Sequence, residues 1–187
     1  MIRAFIAVTL AKSIVEQIAK IYWAGQETRA DIRWVRWEGL HVTLKFLGNI
    51  NRHQIEPVLA VMHETAQGCR PFNVVAQGIG TFPNLHRPQT VWVGLQGQEL
   101  NTLKVALENA LIPLDFPSDA RKFTPHLTLG RVRSLQGWEH LLPMIKAHAQ
   151  TVFGESTIRH MTLYQSDLRP EGAVYTPLGS AAFPSEP

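Results

Sequence analysis

The sequence predicts an α+β fold of two related lobes, on three observations. Strand-like and helix-like segments mix without the steady βαβ rhythm of a doubly wound parallel sheet. A weak internal repeat sets Gly39-Leu-His-Val-Thr-Leu-Lys-Phe-Leu-Gly48 beside Thr124-Pro-His-Leu-Thr-Leu-Gly-Arg-Val-Arg133. The His, the Thr and the Leu after the Thr coincide at the same spacing, and duplicated lobes are the simplest explanation. The 187 residues, 45% hydrophobic and 18% charged, supply enough apolar material for a packed core and too little charge for a disordered chain.

Taken in order, Ile2–Leu10 reads as the first strand. The apolar run Ala4–Ala11 superficially resembles a short signal core. A single Arg before it, no small-residue cleavage site behind it and an amphipathic pattern following favour a buried strand. Ser13 and Glu16 have the spacing of a capping box opening a helix, with Ile14, Ile18, Ile21 and Tyr22 on one face. Trp34–Trp37 and His41–Leu47 are strand-like and end at Gly48-Asn49. Asn51 and Gln54 start a second helical pattern with Ile55, Val58, Leu59 and Met62, which begins or kinks at Pro57. Phe72–Gln77 and Thr90–Leu95 are strands around a loop holding Phe82, Pro83, Arg87 and Pro88. Glu99–Leu111 is a third helix with Leu100, Leu103, Leu107 and Leu111 in register. His126–Arg131 is a strand, Trp138–Ala147 a weakly patterned helix, and Ser156–Gln165 and Val174–Leu178 complete the strands.

Composition excludes several function classes. No run approaches the ~20 apolar residues of a membrane span, so no membrane role is expected. The single Cys69 rules out an intramolecular disulfide and fits a reducing, cytoplasmic compartment. A net charge of +3 permits a polyanionic partner without requiring one, because no Lys/Arg run makes a stripe. There is no Walker-type glycine loop, cysteine pair or His-x-x-Glu-His array, which argues against an NTPase or a zinc enzyme. No cofactor and no metal are expected.

The chemistry rests on the repeated triplet. Residues two apart on a strand share a face, so His41 and Thr43 lie together over Val42 and Leu44, and His126 and Thr128 over Leu127 and Leu129. Lobes facing one another about a pseudo-two-fold would bring two imidazoles and two hydroxyls into one cleft. Two histidines can act as base and acid from opposite sides of a phosphorus atom, each exchanging a proton near its ordinary pKa of ~6.5. Hydroxyls can donate to the non-bridging oxygens. Chance gives roughly 0.6 His-x-Thr triplets in a chain of this composition, and four occur. His63-Glu-Thr65 falls in a helical pattern, where the two side chains diverge. His160-Met-Thr162 sits on a strand but has no partner repeat. Trp23, Trp34, Trp37, Trp92 and Trp138 could offer a base-stacking platform or simply fill core and rim, and Arg87 could meet phosphate or solvent.

The segments Ile32-Arg-Trp-Val35, Gly39–Gly48 and Lys122-Phe-Thr-Pro-His-Leu-Thr-Leu-Gly-Arg131 resemble the signature motifs of the 2H phosphoesterase superfamily. More closely, the chain is similar to its bacterial and archaeal RNA 2′,3′-cyclic phosphodiesterase (2′-5′ RNA ligase) branch. The likeness runs nearly end to end, through Arg3–Val8, Arg87–Trp92 and the closing Leu163–Tyr175 hairpin. Gly39 departs from it, standing where Asn is more usual.

The resemblance implies two pseudo-two-fold related lobes of antiparallel sheet with outer helices and a V-shaped central cleft. The chain would form a single unit over 1–187, monomeric, with motif one at 41–43 and motif two at 126–128. The implied activity is metal-independent hydrolysis of an RNA or nucleotide 2′,3′-cyclic phosphate to a 2′-phosphate, with reversible 2′-5′ ligation in some relatives. His41 and His126 are then the acid–base pair. His126 is assigned to activate water and His41 to protonate the departing 3′-oxygen, a polarity that spacing leaves open. Thr43 and Thr128 are the phosphate donors. Arg131 and Phe46, each five residues after its His, are the implied substrate contacts, Arg131 on phosphate and Phe46 on a base. Strict alternation would aim both away from the histidines, so the implication requires a bulge or a strand end. The alternative is a non-catalytic nucleotide- or RNA-binding module using the same cleft.

Overall fold

In the computed structural model of the chain, residues 1–170 and 172–185 are described. The first half holds β1 (Ile2–Val8), α1 (Lys12–Glu27), β2 (Ile32–Trp34), a 3-10 turn at Trp37–Gly39, β3 (Val42–Ile50), a second 3-10 turn at Arg52–Gln54 and α2 (Ile55–Gln67). There follow β4 (Phe72–Phe82), β5 (Thr90–Gln96), α3 (Gln98–Leu111), β6 (His126–Val132), α4 (Trp138–Ala147), β7 (Val152–Ile158), β8 (His160–Arg169) and β9 (Gly172–Ala182). The fold is α+β, as expected.

One antiparallel sheet runs β7-β4-β5-β6-β3-β1-β8-β9, with β2 added on β6. Its two limbs are joined through β3 and β6, which pair at Val42 and Leu127. β7 ends one limb while β8 lies in the other, yet only Arg159 separates them in sequence, so the sheet must curl strongly. β1 is central, between β3 and β8, and Ala4 to Val8 are accordingly all buried. Two helices, α1 and α3, cross over between the limbs, while α2 lies on β8 and β9 and α4 on β4. α1 presses Ile14, Ile18, Ile21 and Tyr22 inward and lies against β7, whereas α3 lies against β3 and α2. Each limb of the sheet thus draws strands from both halves of the sequence.

Several local expectations need correction. α1 begins at Lys12 with Ala11 as its cap and no side-chain cap bond, so Ser13 lies inside the helix. The Ala11 N–H instead donates to Ser156 Oγ on β7 at 2.7 Å, a long-range bond that supplants the local box. The Asn51–Gln54 box does form, and Pro57 falls in the first turn of α2, where its missing N–H is no loss. The strand expected over Trp34–Trp37 stops at Trp34, because Trp37–Gly39 turns toward β3. The strand expected over Ser156–Gln165 is two strands, β7 and β8, and no Gly or Pro marks the break at Arg159. The weakly patterned helix is α4, which buries Trp138, Leu141 and Ile145 at helical spacing and carries Pro143 at an exposed position in its interior.

Candidate active site

The pairing of Val42 with Leu127 decides where the motif residues go. In an antiparallel pair the register continues symmetrically, so His41 stands across from Thr128 and Thr43 across from His126. Val42 and Leu127 are fully buried on the opposite face. The repeat carries Val42 onto Leu127, so the two-fold of the duplication runs through the same point as the local two-fold of the strand pair. Both triplets are therefore brought together on one face.

Each strand then breaks its alternation at the corresponding place. On β3, Ala7 and Ile6 of β1 pair with Thr43 and Lys45, leaving Leu44 as an extra residue. On β6, Trp92 and Val91 of β5 pair with Thr128 and Gly130, leaving Leu129 extra. A bulge of this kind moves every later side chain to the other face. It returns Phe46 and Arg131 to the face of the histidines, as the resemblance required.

The two rings are held in matching ways. His41 Nδ1 lies 2.7 Å from the Gly39 carbonyl and His126 Nδ1 lies 2.7 Å from the Thr124 carbonyl. A carbonyl only accepts, so each Nδ1 carries its proton and each Nε2 is left for chemistry. His41 Nε2 is 3.1 Å from Thr43 Oγ1. Phe5 stacks on the His41 ring at 4.6 Å and Tyr175 meets it edge-on at 4.9 Å, while Phe82 meets His126 edge-on at 4.9 Å. Burial pushes the His41 imidazole below its ordinary value against the pull of the Gly39 bond, and charge on His126 lowers it further. Burial also lowers His126, against its Thr124 bond, and the Arg131 guanidinium adds to the effect.

Thr43, Phe46, Thr128 and Arg131 line two adjoining arms of one cleft. Arg3, Arg33, Arg36, His41 and Tyr175 line the first arm, and Arg121, Lys122, Phe123 and His126 the second. The arms enclose about 170 and about 730 Å³, a scale suited to a ligand of nucleotide size. A separate groove of about 840 Å³ beside Cys69 and Leu103 holds no imidazole among its described lining. The paired histidines decide for the cleft.

Apart from Trp34, the remaining candidates named below fall away from it. His63 is exposed on α2, and His160 is exposed opposite Ala182 with Thr162 bonded to Ser180. Trp34 lines the first arm, whereas Trp23 and Trp37 pack with Tyr22 and Trp138 is buried. Arg87 is exposed in its loop, and Cys69 donates to the Thr65 carbonyl. Among the described residues no three metal-capable side chains gather as a ligand set, and no helix is long and apolar enough to cross a membrane.

Residues 8–92 and 93–175 each match the family described as LigT like Phosphoesterase, so the duplication seen in the motifs covers most of the chain. The chain belongs to the LigT-like phosphoesterase family. The RNA 2′,3′-cyclic phosphodiesterase of Methanothermobacter thermautotrophicus is 30% identical over 176 residues, 94% of this chain and 95% of its own. The crystal structure of TT0787 of Thermus thermophilus superposes with a TM-score of 0.81 at 26% identity, covering 98% of this chain and 99% of that one. That of Escherichia coli LigT complexed with 3′-AMP gives 0.76 at 26% identity, covering 97% and 98%.

Within this LigT-like phosphoesterase, the structure adds site residues that sequence reasoning missed. Phe5, Tyr175, Arg3, Arg33 and Arg36 reach the cleft from β1, β2, the segment after β2 and β9. The signals in the sequence were the segments Arg3–Val8, Ile32–Val35 and Leu163–Tyr175, which mark strands without naming their cleft-facing side chains. Arg33 donates to the carbonyls of Arg169 and Pro170 at 3.1 and 3.0 Å, fastening β2 to the β8–β9 hairpin. Gly39 also gains a reason: a Cβ there would lie 2.9 Å from the Tyr175 ring. The missing side chain lets Tyr175 close over His41.

Proposed function

We propose that this phosphoesterase hydrolyses the 2′,3′-cyclic phosphate of RNA ends or nucleotides to a 2′-phosphate, with His41 and His126 as its acid–base pair and without a metal. The observation that carries this reading is the matched tethering of the two Nδ1 atoms on either side of one local two-fold. The arrangement supplies two proton carriers, two hydroxyl donors and a guanidinium around a space of nucleotide size. The name of the archaeal relative supports the same substrate.

In the step envisaged, His126 Nε2 takes a proton from water as its oxygen bonds to phosphorus. The P–O3′ bond breaks in line with the attack, and His41 gives its Nε2 proton to the 3′-oxygen. Thr43, Thr128 and Arg131 carry the charge on the non-bridging oxygens, and Phe46 lies against a base. The cycle leaves His126 protonated and His41 neutral, and exchange with solvent resets both. A 5′-hydroxyl in place of water would give a 2′-5′ junction, a secondary activity because water is in excess. The chain acts as one unit of two interleaved lobes and as a monomer, and the single cysteine supports a reducing, cytoplasmic setting.

The test is hydrolysis of 2′,3′-cyclic nucleotides with ³¹P NMR identification of the product, with and without chelator. A 2′-phosphate formed at equal rates under both conditions is expected. Loss of turnover on chelation overturns the metal-free mechanism. Nucleotide affinity with no turnover favours the binding-module alternative, which the 3′-AMP complex of Escherichia coli LigT keeps in view.

A further inference from the structure

At the wall of the cleft's second arm, which Lys104 and Asp119 help to line, these two and the buried Lys45 and Glu108 form a charged cluster that the proposed chemistry does not use. The bulge at Leu44 turns Lys45 inward, leaving its side chain 3% exposed. Its ammonium donates to Glu108 Oε1 at 3.0 Å, to Asp119 Oδ1 at 3.0 Å and to the Pro117 carbonyl at 2.6 Å. Lys104, one turn before Glu108 on α3, donates to Glu108 Oε1 at 2.8 Å, Asp119 Oδ2 at 2.9 Å and the Leu44 carbonyl at 3.0 Å. The Asp119 N–H donates to Glu108 Oε1 at 3.0 Å. Two cations and two anions cancel, and each ammonium has three acceptors. Those are the conditions under which buried charge is tolerated. Burial alone works against the Lys45 ammonium, but its bonds to Glu108 and Asp119 hold it above the ordinary lysine value.

The place of the cluster is what gives it a role. It touches three separate pieces: β3 with motif one, helix α3, and the loop leading into β6 with motif two. From Pro117 to Thr124 that loop has no helix or strand of its own. It is held at the Pro117 carbonyl, at both ends of Asp119, and at Phe123, whose ring lies 5.3 Å from Lys104 Nζ. The next residue, Thr124, offers the carbonyl that orients His126. On the other side, Leu44 has no partner on β1, and Lys104 takes up its carbonyl. β3 and β6 themselves meet at Val42 and Leu127.

We propose that Lys45, Lys104, Glu108 and Asp119 are positioning residues. They fasten the loop that orients His126 to the strand that carries Thr43 and follows His41, and so hold the two rings in their mutual geometry. The catalytic consequence rests on the two-histidine reading, while the effect on the His126 ring does not.

Two variants test this. Asp119→Asn alters the half-exposed member, and the double variant Lys104→Met with Glu108→Met removes one cation and one anion together, leaving Lys45 and Asp119 matched. In each, proton NMR follows solvent exchange of the Nδ1–H of His126 and of His41. Thermal unfolding and the kcat and KM for 2′,3′-cyclic AMP are measured alongside. The expected result is faster exchange at His126 with His41 unchanged, and a kcat lower on the order of 10- to 100-fold with KM nearly constant, as for a displaced catalytic group. A lower unfolding temperature with unchanged exchange and unchanged kcat overturns the proposal and leaves only a stabilising cluster. Altered exchange at His126 in a chain that never turns over the cyclic nucleotide upholds the positioning and overturns the assigned function.

Discussion

Val42 on β3 and Leu127 on β6 face one another at the point where the two limbs of the sheet join, and each is the middle residue of its His-x-Thr triplet. A single paired position thus sets the registration of both motifs. It also makes the apolar contact beneath them important to stability. Leu127 is fully buried, and Leu127→Ala is expected to cost about 2–5 kcal/mol, as buried leucines do. Urea unfolding measures it; a loss well under ~1 kcal/mol would mean that the join is not packed as described.

The pH dependence follows from the two imidazoles. Under the proposed two-histidine mechanism the base must be neutral, so its limb fails as pH falls through its pKa, and the acid must be charged, so its limb fails as pH rises through its own. Burial lowers both rings, with the neighbouring charges of His126 on His41 and of Arg131 on His126 adding to it. The profile of kcat/KM is therefore a bell centred below ~6.5. A bound phosphate anion favours the charged rings, so the profile of kcat lies at higher pH. Arg131→Ala removes a positive neighbour and should raise the limb belonging to His126. A bell centred well above the ordinary imidazole value in free enzyme contradicts the environments described.

Phe46 is 56% exposed and lines both arms of the cleft. Phe46→Ala should weaken nucleotide binding by about 1–3 kcal/mol, the scale of base stacking on an aromatic ring. Titration with a 2′-nucleotide against a base-free sugar phosphate reads it. Equal weakening for both ligands would remove the stacking role.

Gly39 receives the His41 Nδ1–H on its carbonyl and the Tyr175 ring against its Cα. Gly39→Ala places a Cβ 2.9 Å from Tyr175 Cδ2, tighter than ordinary contact, so the ring must move. Tyr175 fluorescence is obscured by the tryptophans, but His41 ring shifts in NMR report the loss of its edge-on neighbour. Unchanged His41 resonances would show that the ring was not held there.

Much of this site was legible in the sequence, and the reasons are specific. The triplets could be read because a period of two and a repeat place His41, Thr43, His126 and Thr128 without knowledge of the tertiary fold. Phe46 and Arg131 were legible only through resemblance, since the bulges at Leu44 and Leu129 come from pairing with β1 and β5. Lys45 shows the cost of missing such a bulge. Alternation places it beside Thr43 facing solvent, and the structure buries it against α3. Tyr175 and the cluster at Asp119 were beyond reach, because both depend on elements far apart in the chain meeting across the curled sheet.

On the proposed mechanism both histidines act in one turnover. The direct measurement is the rate of 2′,3′-cyclic nucleotide hydrolysis in His41→Ala and in His126→Ala. Each should lose roughly 10²-fold or more, the scale of general acid–base catalysis, and each should lose one limb of the pH bell. Full activity in both variants would contradict the account.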